Sequence, residues 1–369
     1  MASNVYFANF RARSPGESKV AKIKKLFSKA GFNEIINDED LTAIKVHFGE
    51  MGNDTFVSPI FIRPIVDRIK RNNGKPFVTD TATLYNGHRR NAIDHVATAV
   101  MHGFDFAVLN APVIIADGLC GNDYVEVEID RPHFKKVKIA RGIEESDAMI
   151  VVSHFKGHCA CGFGGAIKNL GMGCAPPQGK FEQHCAKAKV DLEKCVGCGK
   201  CKKACDYEAI MVESQKSKIL EDKCIACGEC AAACPEYAID FDWENEVPVF
   251  IEKMVEYAYG AITTKKKKVG YINFVMNVTP DCDCAPFSDA PIVPDIGILA
   301  STDPVALDQA CVDLVNKQIG LQNSMLALNM KEGEDKFRGL WDNIDGGIQL
   351  RYGKKIGLGD TEYTLIEIE

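Results

Sequence analysis

The sequence predicts an α/β protein: a host domain with a largely parallel or mixed sheet, interrupted by a small α+β insert. Three observations carry this. Short β-branched, apolar stretches alternate with segments of helical spacing before residue 187. Residues 187–243 break that rhythm with two cysteine-rich runs that repeat each other. The earlier style then resumes to the C-terminus. The expected units are 1–186 as the first part of the host, 187–243 as the insert, and 244–369 as the second part of the host.

Residues 5–9 read as a first strand. In 18–30, Val20, Ile23, Leu26 and Phe27 have helical spacing, and Gly31 supplies a stop. Residues 42–48 are β-branched and apolar, hence a strand, and lead into Gly49-Glu50. Ser58-Pro59 opens a helix reaching residue 72, with a capping residue followed by proline at the first helical position. Residues 75–80 form the next strand and end on Asp80. A helix over 90–102 precedes strands near 106–109 and 113–116. Residues 124–129 and 137–140 suit an antiparallel pair, and 148–153 read as a fully buried strand. Beyond the insert come a helix over 249–262, a strand over 269–278, and a strand or extended stretch over 292–300. A further helix opens at Ser301-Thr302-Asp303-Pro304, and a final alternating strand covers 363–368 after glycine turns.

A chain of 369 residues exceeds one comfortable core. Its net charge of −7, with the basic residues scattered, argues against nucleic acid or an anionic membrane as partner. No apolar run approaches the ~20 residues that span a bilayer. The N-terminal residues lack the pattern of a signal peptide, so the sixteen cysteines point to a reducing cytoplasm rather than to disulfides.

Eight of those cysteines carry the strongest signal. Cys195, Cys198, Cys201 and Cys205 have the spacing C-x2-C-x2-C-x3-C, and Cys224, Cys227, Cys230 and Cys234 repeat it, with Pro235 following. Bacterial ferredoxins hold two [4Fe–4S] clusters on this spacing, and the fourth cysteine of each run ligates the other run's cluster. The expected sets are Cys195, Cys198, Cys201 and Cys234 for one cluster, and Cys224, Cys227, Cys230 and Cys205 for the other. Zinc ribbons use four ligands in two pairs and fit two runs of four less well.

Ligands of open α/β sheets gather beyond the carboxyl ends of the strands. His47, Glu50, Asp80, Asp117, His154 and Lys156 all fall there. His47, Glu50, Asp80, Lys156 and His158 are the catalytic candidates, able to supply an acid/base pair and an anion clamp for a small carboxylate or phosphate. An alternative is an ion pair between Glu50 and Lys156, with the histidines capping strand ends. The glycine-rich run 162–173 could cradle an anion on its backbone N–H groups, with Gly164, Gly165, Lys168 and Asn169 as the binding residues. It matches neither a dinucleotide fingerprint nor a Walker A sequence. Cys159, Cys161, Cys282 and Cys284 form two Cys-x-Cys pairs that could build an additional metal or reactive-thiol site if their loops meet.

The ordered motifs Lys45-Val-His-Phe-Gly-Glu50, Asp80-Thr-Ala-Thr-Leu-Tyr85, Ala116-Asp-Gly118, His154-Phe-Lys-Gly-His158, the run 162–173 and Asp303-Pro-Val-Ala-Leu-Asp308 resemble the uncharacterised iron–sulfur centre proteins that carry domain of unknown function 362 with an inserted two-cluster ferredoxin module. The resemblance covers nearly the whole chain. It implies two [4Fe–4S] clusters and redox chemistry in anaerobic metabolism. One departure is Asp206, where the first run would often have proline. The reading is an iron–sulfur oxidoreductase whose insert relays electrons between an external carrier or redox protein and a small-molecule site in the host. A non-enzymatic electron carrier or redox-complex subunit, and a metal- or cofactor-handling protein, are the alternatives.

Overall fold

Eight strands form one mixed sheet, and its strands come from both sides of the cysteine-rich segment. The computed structural model describes residues 2–85, 87–184, 188–205, 207–224, 229–241 and 246–368. In chain order the strands are β1 (Ser3–Asn9), β2 (Leu41–Lys45), β3 (Lys75–Asp80), β4 (Val113–Ile115), β5 (Tyr124–Glu128), β6 (Lys136–Ala140), β7 (Ala148–His154), β8 (Lys156–His158), β9 (Gly162–Gly164), β10 (Ala188–Val190), β11 (Ile210–Glu213), β12 (Lys216–Ile219), β13 (Ile239–Phe241), β14 (Val269–Val275), β15 (Gly297–Ser301) and β16 (Tyr363–Glu367). The large sheet runs β16-β1-β15-β14-β7-β2-β3-β4. From β14 to β4 every pairing is parallel, while β15 lies antiparallel to both β14 and β1.

Both faces of this sheet are covered, and the two-residue period of the strands assigns each side chain to a face. On one face Ile44, Val78, Ile150, Val152, Ile272 and Ile298 pack with the helices Lys19–Lys29 and Pro59–Arg71. On the other, Ala43, Met149, Val151, Tyr271 and Leu299 pack with Ala166–Gly171, Glu246–Thr263 and Pro304–Asn316. Strand β7 is buried throughout, its apolar residues 148–152 and the polar Ser153 and His154 alike. The parallel order places the carboxyl ends of β2, β3, β7 and β14 along one edge.

Most sequence-based elements stand within a few residues of the expected ranges, including the antiparallel β5–β6 pair and the helix capped by Asp303. Residues Phe106–Leu109 differ. They form a single helical turn, not a strand, because the Asp105 carboxylate accepts from Val108 N–H and Asn110 ends the turn in the left-handed region. The C-terminal stretch expected as glycine turns also holds the helix Ile348–Ile356, which ends on left-handed Gly357.

The glycine-rich run does not present a free anion cradle. The Asp308 carboxylate already occupies the start of the helix Ala166–Gly171, accepting from Ala166 N–H at 2.8 Å and Ile167 N–H at 2.9 Å. Asn273 Nδ2 donates to the same carboxylate at 2.7 Å. Of the four residues expected to bind an anion there, Gly165 instead gives room to Asp308: a Cβ on it would lie 2.4 Å from Asp308 Oδ1. Gly164 lies beside Lys156 and Lys168, whereas Lys168 and Asn169 turn to other partners. Gly165→Ala is therefore expected to unseat Asp308 and cost about 1–3 kcal/mol, the penalty for unpaired buried polar groups. A denaturant midpoint equal to that of the parent protein would contradict this.

Candidate functional site

A buried ionic network fills the carboxyl edge of the sheet. Lys45 ends β2 and pairs with Asp80 at the end of β3, 2.8 Å away. Lys45 also donates to Asn169 Oδ1 at 2.7 Å, and Asn169 Nδ2 returns to Val152 O in β7 at 2.9 Å. The loop after β3 delivers Arg89, whose Nε lies 3.1 Å from Glu50 Oε2 and whose Nη1 lies 3.6 Å from Asp80. Glu50 further accepts from His88 N–H at 2.9 Å. Burial opposes ionisation of Asp80, but Lys45, with Arg89 beyond it, holds its carboxyl well below the usual range.

His47 lies inside this network. Its Nδ1 faces the Gly49 N–H at 2.9 Å and its Nε2 faces Arg89 Nη1 at 3.2 Å, so both ring nitrogens meet donors. Burial and the Arg89 charge push its pKa down to about 3. At neutral pH the ring is uncharged and a poor proton acceptor. Glu50 and Lys156, which the sequence leaves open as an ion pair, have other partners. Glu50 binds Arg89, while Lys156 lies 3.5 Å from Asp283 and donates to His154 O at 2.9 Å.

A second group forms where the loop after β14 meets β7, β8 and β9. His154 Nδ1 lies 2.8 Å from Asp283 Oδ1. Burial again opposes ionisation of Asp283, yet His154 and Lys156 hold it well below the usual range. The neighbours of Asp283 in sequence, Cys282 and Cys284, bring their sulfurs within 4.8 Å of each other and of a ring nitrogen of His158. These three side chains could hold a metal ion. Lys168 Nζ lies 3.1 Å from Cys282 Sγ. Burial, with Lys168 beside it, lowers the pKa of His158 to about 3.

The structure thus gathers His158, Cys282 and Cys284, while Cys161 is buried and donates its thiol to Phe163 O at 3.2 Å. Among the described residues neither Cys161 nor Cys159 joins that group. Asp117 lies apart from it, accepting from Ala82 N–H, with burial raising its pKa to about 6. Sequence reasoning missed Arg89 and Lys45 and gave Asp283 no role. Arg89 sits in an irregular loop without periodicity, and Lys45 is the last residue of β2, with a buried partner that no local pattern shows. The polar Asp between two cysteines was the available signal for Asp283.

In the cysteine-rich segment, Cys195, Cys198, Cys201 and Cys234 line one cavity together with Ser217. Cys195 Sγ accepts from Ser217 N–H at 3.4 Å, and Cys234 Sγ accepts from Ala238 N–H at 3.3 Å. Cys205 Sγ accepts from Ala209 N–H at 3.4 Å in the matching place of the first run. Cys224 and Cys230 are described, and Cys227 lies outside the described residues. Ala188, Cys201, Ile210, Cys230 and Ile239 form a small core of their own. Tyr207, two residues after Cys205, donates its hydroxyl to Leu84 O at 3.1 Å, and the neighbouring Tyr85 hydroxyl lies 3.4 Å from Cys284 O. The segment therefore touches the loop that carries Arg89.

Among the described residues no helix is long and apolar enough to cross a membrane. No curated protein matches the sequence. Among solved structures, the lactate racemase apoprotein from Thermoanaerobacterium thermosaccharolyticum matches at 13% identity and a TM-score of 0.41 over 80% of this chain. This chain spans 56% of that one. A Thermotoga maritima protein matches at 10% identity and a TM-score of 0.30, over 70% of this chain and 50% of its own. Residues 42–313 match the family described as Domain of unknown function (DUF362), and the chain belongs to that family.

Proposed function

We propose that the chain is an iron–sulfur redox protein in which residues 187–243 form an inserted two-[4Fe–4S] module that relays electrons to or from the host site. The carrying observation is the cavity shared by Cys195, Cys198, Cys201 and Cys234. Three of these residues belong to the first run and one to the second, the crossed set that bacterial ferredoxins use. The donors that reach these sulfurs fit a cluster as well. Ser217 and Ala238 direct N–H groups at Cys195 and Cys234, and such bonds to cysteine sulfurs raise a cluster's reduction potential. A bound cluster would supply single-electron transfer.

The chain's own residues supply the connection. Tyr207 ties the module to Leu84, next to Tyr85, and Tyr85 in turn reaches Arg89 and Cys284. Lys45, Arg89 and Lys156 keep the strand-end loops fixed through Asp80, Glu50 and Asp283. The module would exchange electrons with an external carrier at its outer side and with a small-molecule substrate at the host site.

Anaerobic reconstitution followed by iron and acid-labile sulfide analysis tests the reading. The expected result is about eight of each per chain, with a broad visible absorption that bleaches on reduction. Zinc bound to the cysteines without labile sulfide would overturn it.

A further inference from the structure

We infer that Cys282 and Cys284 are a redox-active dithiol, the two-electron station of the host site; this rests on the relay proposed above. The Cys-x-Cys segment is folded back on itself, with Ala285 N–H donating to Cys282 O at 2.9 Å. Both sulfurs then lie within 4.8 Å of each other. A turn also keeps α-carbons two residues apart near the roughly 4.4–6.8 Å that a disulfide spans. The residue between them is anchored rather than free. Asp283 holds His154 and Lys156 with its side chain, and its carbonyl accepts from Glu50 N–H at 2.8 Å. The turn is fixed at its middle while its two thiols remain available to each other.

Two contacts favour a dithiol over a resident metal on the same three side chains. Lys168 directs its ammonium at Cys282 Sγ, 3.1 Å away, which favours the thiolate that reacts in disulfide chemistry. His158 Nδ1 accepts from Ala160 N–H at 3.0 Å, so the neutral ring carries its proton on Nε2. A metal would have to displace both arrangements. Cys282 is buried, and Cys284 is partly exposed as a residue.

On oxidation the Cys282 thiolate and the Cys284 thiol join in one S–S bond, and the single proton of the Cys284 thiol passes to water. Two electrons leave singly to the iron–sulfur centres proposed for the adjoining segment, one for each. Reduction reverses these changes. The pair thereby matches a two-electron host site to two one-electron carriers, and the contacts of Tyr207 with Leu84 and of Tyr85 with Cys284 O join the two regions. The substrates open to such a pair are disulfides, through thiol–disulfide exchange.

The test uses the full chain with its clusters in place, poised anaerobically with ferricyanide or dithionite, then denatured, alkylated and mapped by peptide mass spectrometry. After reduction Cys282 and Cys284 should both carry the alkyl label. After oxidation the peptide should be unlabelled at both positions and lighter by two hydrogens. Cys284→Ser should abolish this change while leaving iron content and reductive bleaching as in the parent. Full labelling of both residues in the oxidised protein would overturn the inference, as would a stoichiometric metal whose chelation is needed before they label. If the chain holds no iron yet ferricyanide still joins the two cysteines, the relay fails and the dithiol stands.

Discussion

Cys195→Ala combined with Cys234→Ala is expected to remove no more iron than either substitution alone, leaving about four iron atoms per chain. The two residues are far apart in sequence but line the same cavity, so the second substitution strikes a site already lost. Cys195→Ala combined with Cys205→Ala should behave differently. Those cysteines sit in one run yet serve different clusters under the crossed assignment, and the double variant should retain almost no iron. Iron and labile sulfide analysis of the four single and double variants, reconstituted in parallel, decides the matter. Four irons left in the Cys195/Cys205 variant would mean that each run holds its own cluster. The N–H donors from Ala209 and Ala238 to Cys205 and Cys234 occupy equivalent places, so the two outcomes do not differ through local folding of those cysteines.

Asp80→Asn should be the most destabilising single substitution at the strand-end site. It leaves Lys45, 2.8 Å away, and Arg89, 3.6 Å away, buried without their shared counter-charge. Removing one partner of a buried ionic group costs about 3–5 kcal/mol. The pH dependence has a definite sign. The folded pKa of Asp80 is depressed, because Lys45 and Arg89 outweigh the effect of burial. Its contribution to stability is therefore present above the ordinary carboxylate range and is lost as pH falls toward the folded value. Asp283, depressed by His154 and Lys156, adds to the same acid-side loss. Thermal melts from neutral to acidic pH should show the parent losing stability more steeply than Asp80→Asn. Parallel curves separated by a constant offset would mean that Asp80 is not the titrating group.

The edge of the sheet was legible because it depends on chain direction and strand order in the most local sense. A strand followed by a polar residue places that residue at an end, and His47, Asp80 and His154 are where such reasoning puts them. Their partners were not legible. Arg89 reaches Glu50 and His47 from a loop with no repeating pattern. The Asp308 carboxylate closes the glycine-rich helix start from 142 residues away, and nothing in the run 162–173 anticipates an internal anion. His158 joined Cys282 and Cys284, whereas Cys161 turned its thiol to Phe163 O, because β8 and β9 pair antiparallel and fix where each side chain can reach. The turn at Phe106–Leu109 shows the same limit on a smaller scale. Four apolar residues carry no readable period, and a single Asp105 cap decides between strand and helix.

By itself the sequence determined the α/β alternation, the buried β7 run and the doubled cysteine spacing. Each is written in consecutive residues, and short-range periodicity and fixed ligand spacing survive without knowledge of the third dimension. Tertiary structure alone decided which charges neutralise one another, which anion fills the glycine-rich helix start and which side chains surround Cys282 and Cys284. Those pairings include Glu50 with Arg89, 39 positions apart, and Ala166 with Asp308, 142 positions apart. They follow from how parallel strands stack their carboxyl ends along one edge, where desolvation makes every buried charge find a partner.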